Sequence, residues 1–421
     1  MRVFHLTTEF PPLVYGGLGT AIGGLVAASA RAGIEVTVLL VAGNGKASYQ
    51  WPAKTWQVDA ADAVDYGDAG IHLLHASHDN AEAVAVDWLR ACPADVLHLH
   101  VFWLWPLARS LREHTGIPIV YTVHSLDRAE YELGQGPPEC LTQSDLQESL
   151  IASADRIVAL TRSESALIAA YVPAACGRVR VVGNGIEDCP EALATASRVP
   201  TTGPLTVLYS GRFVERKGVR DLLAAVPLVL ERAPKTSFVL AGGHRHCSGD
   251  DMARYWLPVG FERYRERVRF TGWLSSQDLA RLYCQADVLV VPSWYEPFGM
   301  VVLEGMLYGL PIVASSVGGP AEILEHERTG LLHPPRDGIA LAAALTRLIE
   351  EPGLRQRLRL EAAREVRQTW LYSKVVRRMC SVYAEMCTDA SETPMKIRLP
   401  GYPRGHFPMV RREPHHVGAA L

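Results

Sequence analysis

Short apolar runs recur along the chain, each followed by turn residues and then by a longer segment with helical spacing. "RVFHLTT" (2–8), "EVTVLLV" (35–41), "ADVLHLH" (94–100), "GIPIVYTVH" (116–124) and "ADRIVAL" (154–160) make a first block. "LTVLYSGR" (205–212), "TSFVLAGG" (236–243), "RVRFTG" (267–272), "ADVLVVPS" (286–293), "PIVASS" (311–316) and "GLLHPP" (330–335) make a second. Continuous apolar runs of this kind suit strands buried on both faces of a parallel sheet. "LGTAIGGLVAASARAG" (18–33) reads as a helix ended by Gly33. "MVVLEGMLYG" (300–309) reads as another, with Gly309 as terminator and Pro311 just beyond. Two blocks of alternating strands and helices predict an α/β protein with two doubly wound domains facing a cleft.

Length supports the division, since 421 residues exceed one ordinary core and suggest two domains of roughly 150–200 residues. The expected units are residues 1–190, a polar linker over 191–204 ("EALATASRVPTTGP"), and residues 205–365. The tail from 388 to 421 has scattered prolines and little periodicity, and is expected to be poorly ordered. A net charge of −3 offers no electrostatic case for nucleic acid. The eight cysteines include no C-x-x-C pair, which points to reduced thiols and a cytoplasmic protein. From Phe10 to Ala30 there is no charge, about the length of a membrane span. Yet Pro11, Pro12 and five glycines interrupt it and no basic leader precedes it. A strand, a loop and a helix are expected there. No integral membrane segment is expected, and peripheral contact with a membrane stays open.

Candidate chemistry gathers where strands of the second block end. In "SWYEPFGMVVLEG" Glu296 falls in the loop after a strand, and Glu304 about a turn into the next helix. Ligands of parallel sheets bind at such strand ends. Two carboxylates beside free helix-terminal N–H groups suit a polyhydroxylated anion such as a sugar nucleotide. The competing reading makes Glu296 a helix cap and Glu304 a solvated or ion-paired side chain. In "YSGRFVERKG" (209–218), Arg212 and Lys217 flank a loop where they could clamp a diphosphate, while Glu215 and Arg216 read as solvated. In "PPLVYGGLG" (11–19), Gly16 and Gly17 allow close backbone approach before a helix, though a structural turn explains them equally well.

Metal chemistry finds little support in the sequence. There is no D-x-D, and Asp59, Asp62, Asp65 and Asp68, recurring every third residue, read as a polar helix face or loop. His72, His75, His78, His98 and His100 have suitable spacings but no cysteine or carboxylate at a matching spacing, so they read as structural or edge-of-cleft histidines. His244 and His246 follow a strand end, within reach of a nucleotide. No metal and no cofactor are expected.

Taken together, these segments resemble a retaining glycosyltransferase of the GT-B architecture, in the family that holds glycogen synthases, sucrose-phosphate synthases and many bacterial glycosyltransferases (family 4). Glu296 and Glu304 are similar to its E-x7-E signature, "GRFVERKG" to its G-R-x-x-x-x-K-G segment, and "FPPLVYGGLG" to its glycine loop. "YTVHSLD" is similar to the segment with the active-site histidine, and "VVGNGIE" to the hinge between domains. The resemblance spans roughly residues 2 to 385. It implies that Glu304 holds ribose hydroxyls and Glu296 hydroxyls of the transferred sugar. Phe298, Gly299, Met300 and Val301 would present backbone N–H groups to sugar and phosphate. Arg212 and Lys217 would stabilise the leaving diphosphate, helped by Gly16 and Gly17, with His124 beside the donor sugar. The amino-terminal domain would take the acceptor and the carboxyl-terminal domain the donor, with residues 366–387 crossing back to the first domain. "GGPAE" (318–322) departs from the family's G-G-x-P-E, which leaves the role of Glu322 open.

The function implied is metal-independent transfer of a hexosyl group from a nucleotide-diphosphate sugar to a hydroxylated acceptor. A nucleotide-sugar epimerase or phosphorylase of the same architecture is the alternative, and a non-catalytic sugar-nucleotide binder a lesser one. The acceptor is expected around "VFWLWP" (101–106), "SLDRAEYELGQGPPE" and the glycine loop, with Phe102 and Trp105 read as core.

Overall fold

The structure is a computed structural model that describes residues 1–11, 13–14, 16–41, 71–196, 203–243 and 247–389. The first domain holds a seven-stranded sheet of β1 (Arg2–Thr7), β2 (Glu35–Val41), β3 (Ile71–Ala76), β4 (Val96–Leu99), β5 (Ile119–Val123), β6 (Arg156–Ala159) and β7 (Val179–Val181). The second holds a six-stranded sheet of β8 (Thr206–Gly211), β9 (Ser237–Gly242), β10 (Val268–Gly272), β11 (Val288–Val291), β12 (Ile312–Ser315) and β13 (Leu331–His333). Strand orders are β3-β2-β1-β4-β5-β6-β7 and β10-β9-β8-β11-β12-β13, all pairings being parallel. The order in which the chain adds strands reverses once in each sheet, between β1 and β4 and between β8 and β11. A crevice opens at such a switch point, outside the carboxyl ends of the strands. The protein is thus α/β with two doubly wound, Rossmann-like domains.

The continuous apolar runs are continuous because helices cover both faces. Phe4, Leu6, Leu97, Leu99 and Tyr121 pack on one side of the first sheet against helices Ala81–Ala91, Trp105–Thr115 and Pro138–Ser153. On the other side, Val3, Val36, Val38 and Val120 meet helix Gly17–Arg31 and the last described helix, Tyr372–Asp389. That last helix is fastened to the first domain by Glu385, which accepts from Arg156 (2.7 Å) and Arg180 (2.9 Å), and by Tyr372, whose hydroxyl donates to the carbonyl of Ala21 (3.0 Å).

The two chain crossings between domains run side by side. Ile186 N–H donates to the carbonyl of Trp370 (2.9 Å), and Tyr372 N–H to that of Ile186 (3.1 Å). Trp370 ends a wide-turn helical stretch, Val366–Trp370, and its ring meets Phe298 edge-on at 5.5 Å.

Some elements differ from the sequence reading. "IHLLHA" (71–76), met above only as spaced histidines, is the edge strand β3, and "VRV" (179–181), which leads into the hinge segment, is β7. Residues 191–196 of the expected linker belong to a helix, Pro190–Ala196. Its Thr195 carbonyl accepts from Arg359 (2.7 Å), so tertiary contact orders a stretch whose composition suggests a loop. Asp59, Asp62, Asp65 and Asp68, with His244, His246 and the tail beyond Asp389, lie outside the described residues. Among the described residues, no helix is long and apolar enough to cross a membrane.

Candidate active site

The loops after β8 and β11 are pressed together, and glycine is what permits it. Gly218 has φ +68°, and a Cβ there would run into the carbonyl of Pro292. The close approach sets Lys217 against Glu296 in a direct ion pair, both side chains being largely buried. Ser293 Oγ also donates to Glu296 Oε2 (3.0 Å). Burial works against ionising Glu296, but Lys217 and then Arg216 overcome it and hold the carboxyl below its ordinary range. The loop is supported from beneath by Gly318 and Gly319. Their Cα atoms lie against the carbonyls of Glu296 and Phe298, and Gly319 N–H donates to the Glu296 carbonyl (2.9 Å).

Helix Met300–Leu307 starts directly beyond, with Gly299 (φ +94°) as an N-cap that has no side chain to satisfy the first-turn N–H groups. Across the cleft, helix Gly17–Arg31 also starts at a glycine, Gly16, with no side-chain cap. A Cβ on Gly17 would stand 3.6 Å from Met300 Cγ, so the two helix N-termini face one another. Both carry partial positive charge, an arrangement that suits an anion between them. Arg212 is exposed, and its side chain makes no ion pair or hydrogen bond among the described residues.

Glu304 lies half-buried on the same helix. Its Oε2 accepts from the hydroxyl of buried Tyr283 (2.5 Å), and burial raises its pKa despite that bond. The competing reading does not fit Glu296, which is paired across two loops, and half-buried Glu304 makes no ion pair among the described residues.

His124 follows β5, where its Nε2 lies 3.1 Å from His100 Nδ1. It lines a small cavity with Gly183, Asn184, Leu160 and Tyr372, beside the domain crossing. Burial pushes its pKa down to about 4. No hydrogen bond or ion pair joins His124 to Glu296 or Lys217 among the described residues. His5, His98 and His100 cluster behind it, their ring nitrogens within 4.8 Å of one another. Phe298, by contrast, turns its ring into the core (3% exposed), so only its backbone is available to a ligand.

Several contributors escape sequence reasoning. Arg216, read above as solvated, is buried (7% exposed), and its Nε donates to Glu130 of the first domain at 2.9 Å. The correction has a physical cause: the partner sits on helix Asp127–Gly134, far away in sequence, and no local pattern reveals it. Glu215 does pair at the surface, with Arg220 (3.0 Å). Tyr295 OH bridges domains as well, accepting from Leu126 N–H (3.1 Å) and lying 3.2 Å from both oxygens of Glu164. Burial pushes that carboxyl up to about 7. Glu322 accepts from Arg162 N–H (2.9 Å), Ser163 N–H (2.7 Å) and Ser163 Oγ (2.7 Å), so it caps a first-domain helix from the second domain. Phe102 and Trp105 are core, whereas Trp103 is 48% exposed at the carboxyl end of β4.

Comparison with known proteins is consistent from end to end. Residues 16–185 match the family model "Glycosyl transferase 4-like domain", and residues 194–365 match "Glycosyl transferases group 1". A glycogen synthase of Mycobacterium tuberculosis is 29% identical over 392 residues, covering 87% of this chain and 90% of that protein. A D-inositol 3-phosphate glycosyltransferase of Saccharomonospora viridis is 30% identical over 316 residues, covering 72% and 73%. Among solved structures, a sucrose-phosphate synthase from Thermosynechococcus elongatus superposes with a TM-score of 0.73 at 23% identity, over 92% of this chain and 100% of that one. HepE from Anabaena, in complex with UDP-glucose, gives 0.66 at 18% identity, over 93% and 100%.

Proposed function

Since the chain belongs to the GT-B glycosyltransferases of the glycogen synthase and sucrose-phosphate synthase group, enzymes that use nucleotide sugars, we propose that it is a retaining, metal-independent hexosyltransferase acting on a hydroxylated acceptor. One observation carries the reading: Glu296, Lys217 and the start of helix Met300–Leu307 meet at one switch point, with exposed Arg212 on the adjoining loop.

Breaking a glycosyl–phosphate bond throws negative charge onto the departing diphosphate. Arg212, Lys217 and the two facing helix N-termini meet that charge with fixed positive groups, which is the task a divalent ion performs elsewhere. Glu304 accepts hydrogen bonds from the ribose diol. Glu296, kept ionised by Lys217, accepts them from hydroxyls of the hexose, and His124 stands beside the same sugar. In a retaining transfer the bond from C1 to the phosphate oxygen breaks, and the acceptor oxygen joins C1 on the face just vacated. The departing phosphate oxygen is then the nearest base for the acceptor's proton. The acceptor enters from the first domain, near exposed Trp103 and helix Asp127–Gly134. Eight free thiols fit a reducing compartment such as the cytoplasm.

A thermal-shift panel of UDP-, ADP- and GDP-hexoses tests the proposal, followed by an assay for slow donor hydrolysis. One base should stabilise the protein and its sugar should be released. A flat response to every nucleotide sugar at millimolar concentration would defeat the reading.

A further inference from the structure

Three imidazoles stand in a single hydrogen-bonded line. His5 Nδ1 lies 2.9 Å from His100 Nε2, and His100 Nδ1 lies 3.1 Å from His124 Nε2. The outer nitrogen of His5, Nε2, is buried and has no hydrogen-bond partner among the described residues. His98 packs against the line, with ring centroids 4.9 Å from His5 and 4.1 Å from His100. Its own nitrogens are taken up elsewhere, by the hydroxyls of Tyr383 and Thr122 at 2.7 Å each.

Burial holds all these rings neutral. His5 is pushed down to about 3, and His98 and His100 lie well below the ordinary histidine value. A neutral imidazole offers one N–H and one bare nitrogen. Each junction of the line needs one of each, so the three tautomers are linked and reverse only together. If the line runs from His5 to His124, the buried Nε2 of His5 is left as a bare lone pair. If it runs the other way, that position holds an N–H with no acceptor. Orphaned buried N–H groups are the rarer of the two in folded proteins.

We propose that His5 and His100 are positioning residues that fix His124 as its Nδ1–H tautomer, so that its ring offers an N–H donor to an oxygen of the transferred sugar. The link to the sugar rests on the placement of His124 in the preceding section; the tautomer does not. A hydroxyl can either donate or accept, so the tautomer of the ring beside it decides which way that hydrogen bond runs. The same rings make a poorer metal centre. Ligation would strip His98 and His100 of their present partners, and would bury a divalent charge in a group that, among the described residues, includes no carboxylate.

Two-bond ¹H–¹⁵N correlation on ¹⁵N-histidine-labelled wild-type protein near neutral pH separates protonated from bare ring nitrogens. His124 is assigned by the signals lost in His124→Gln. The expected result is protonated Nδ1 and bare Nε2 at both His100 and His124, with bare Nε2 at His5. His5→Phe removes the start of the line at similar bulk. It should give mixed tautomers at His124 and lower kcat about tenfold, the value of one modest hydrogen bond, while nucleoside-diphosphate affinity stays unchanged. An Nε2–H tautomer at His124 in the wild type overturns the proposal without any variant having to fold, and so does stoichiometric transition metal in protein purified without chelator. The proposed tautomer together with full activity of His124→Gln would instead overturn the link to the sugar, and with it the donor-facing role of His124.

Discussion

Replacing Glu304 by glutamine separates a donor-binding carboxylate from a structural one. Glu304 Oε2 accepts from Tyr283 (2.5 Å), and the Tyr283 oxygen is itself supported by Ser210. In the Glu304→Gln variant the amide oxygen must therefore stay with Tyr283, which turns the NH₂ group toward the ribose. Two charge-assisted bonds of ~1.5–3 kcal/mol each give way to neutral ones of ~0.5–1.5 kcal/mol, a loss of about 2–3 kcal/mol. At ~1.4 kcal/mol per decade, the donor Kd should rise roughly 30- to 150-fold. The variant should fold no worse, because burial disfavours the ionised carboxylate and the amide removes that cost. The raised pKa of Glu304 also means that wild-type affinity declines as pH falls through it, while the variant's stays flat. Titration calorimetry with the nucleotide sugar, paired with thermal melts, reads all three effects. A Kd within threefold of wild type would refute the role of Glu304. So would a loss of affinity that merely tracks a lowered Tm.

Arg212→Ala and Lys217→Ala should each lower kcat by roughly 10²-fold, as expected for groups meeting charge that grows in the transition state, and steady-state kinetics with unchanged folding would check it. Glu164 has its folded pKa raised from 4.5 to about 7 by burial, so its contribution to stability is complete below its unfolded value and is lost as pH rises through about 7. Wild-type melts from pH 5 to 8 should therefore fall more steeply than those of Glu164→Gln, and parallel curves would show that the carboxyl is not held protonated. Gly24 lies directly beneath the ring of Tyr372, so Gly24→Ala should overpack this contact and cost about 1–3 kcal/mol, measurable by denaturant unfolding. An unchanged midpoint there would mean that helix Tyr372–Asp389 shifts without penalty.

Buried parallel strands announce themselves, which is why β1, β2, β8 and β11 were legible as continuous apolar runs. β3 was not, because an edge strand with exposed His72 and His75 carries a mixed pattern. Glu296 and Lys217 could each be placed at a strand end from turn chemistry alone. Their pairing could not, since it depends on Gly218 letting two loops touch. Arg216 shows the limit most plainly: its motif was visible, while Glu130 stands 86 residues away on the other domain. The histidine line required the sheet order, which sets β1 beside β4 and β4 beside β5, so that His5, His100 and His124 converge. His98 and His100 alternate along one run, yet nothing local to that run points to His5.

The central claim, a retaining transfer that needs no metal, is tested most directly by ¹H NMR of the sugar first released from an α-linked nucleotide hexose in excess EDTA. The account predicts turnover under those conditions, with the α-anomer appearing first and the β-anomer only later by mutarotation. Initial release of the β-anomer, or turnover that appears only when magnesium or manganese is restored, would contradict it.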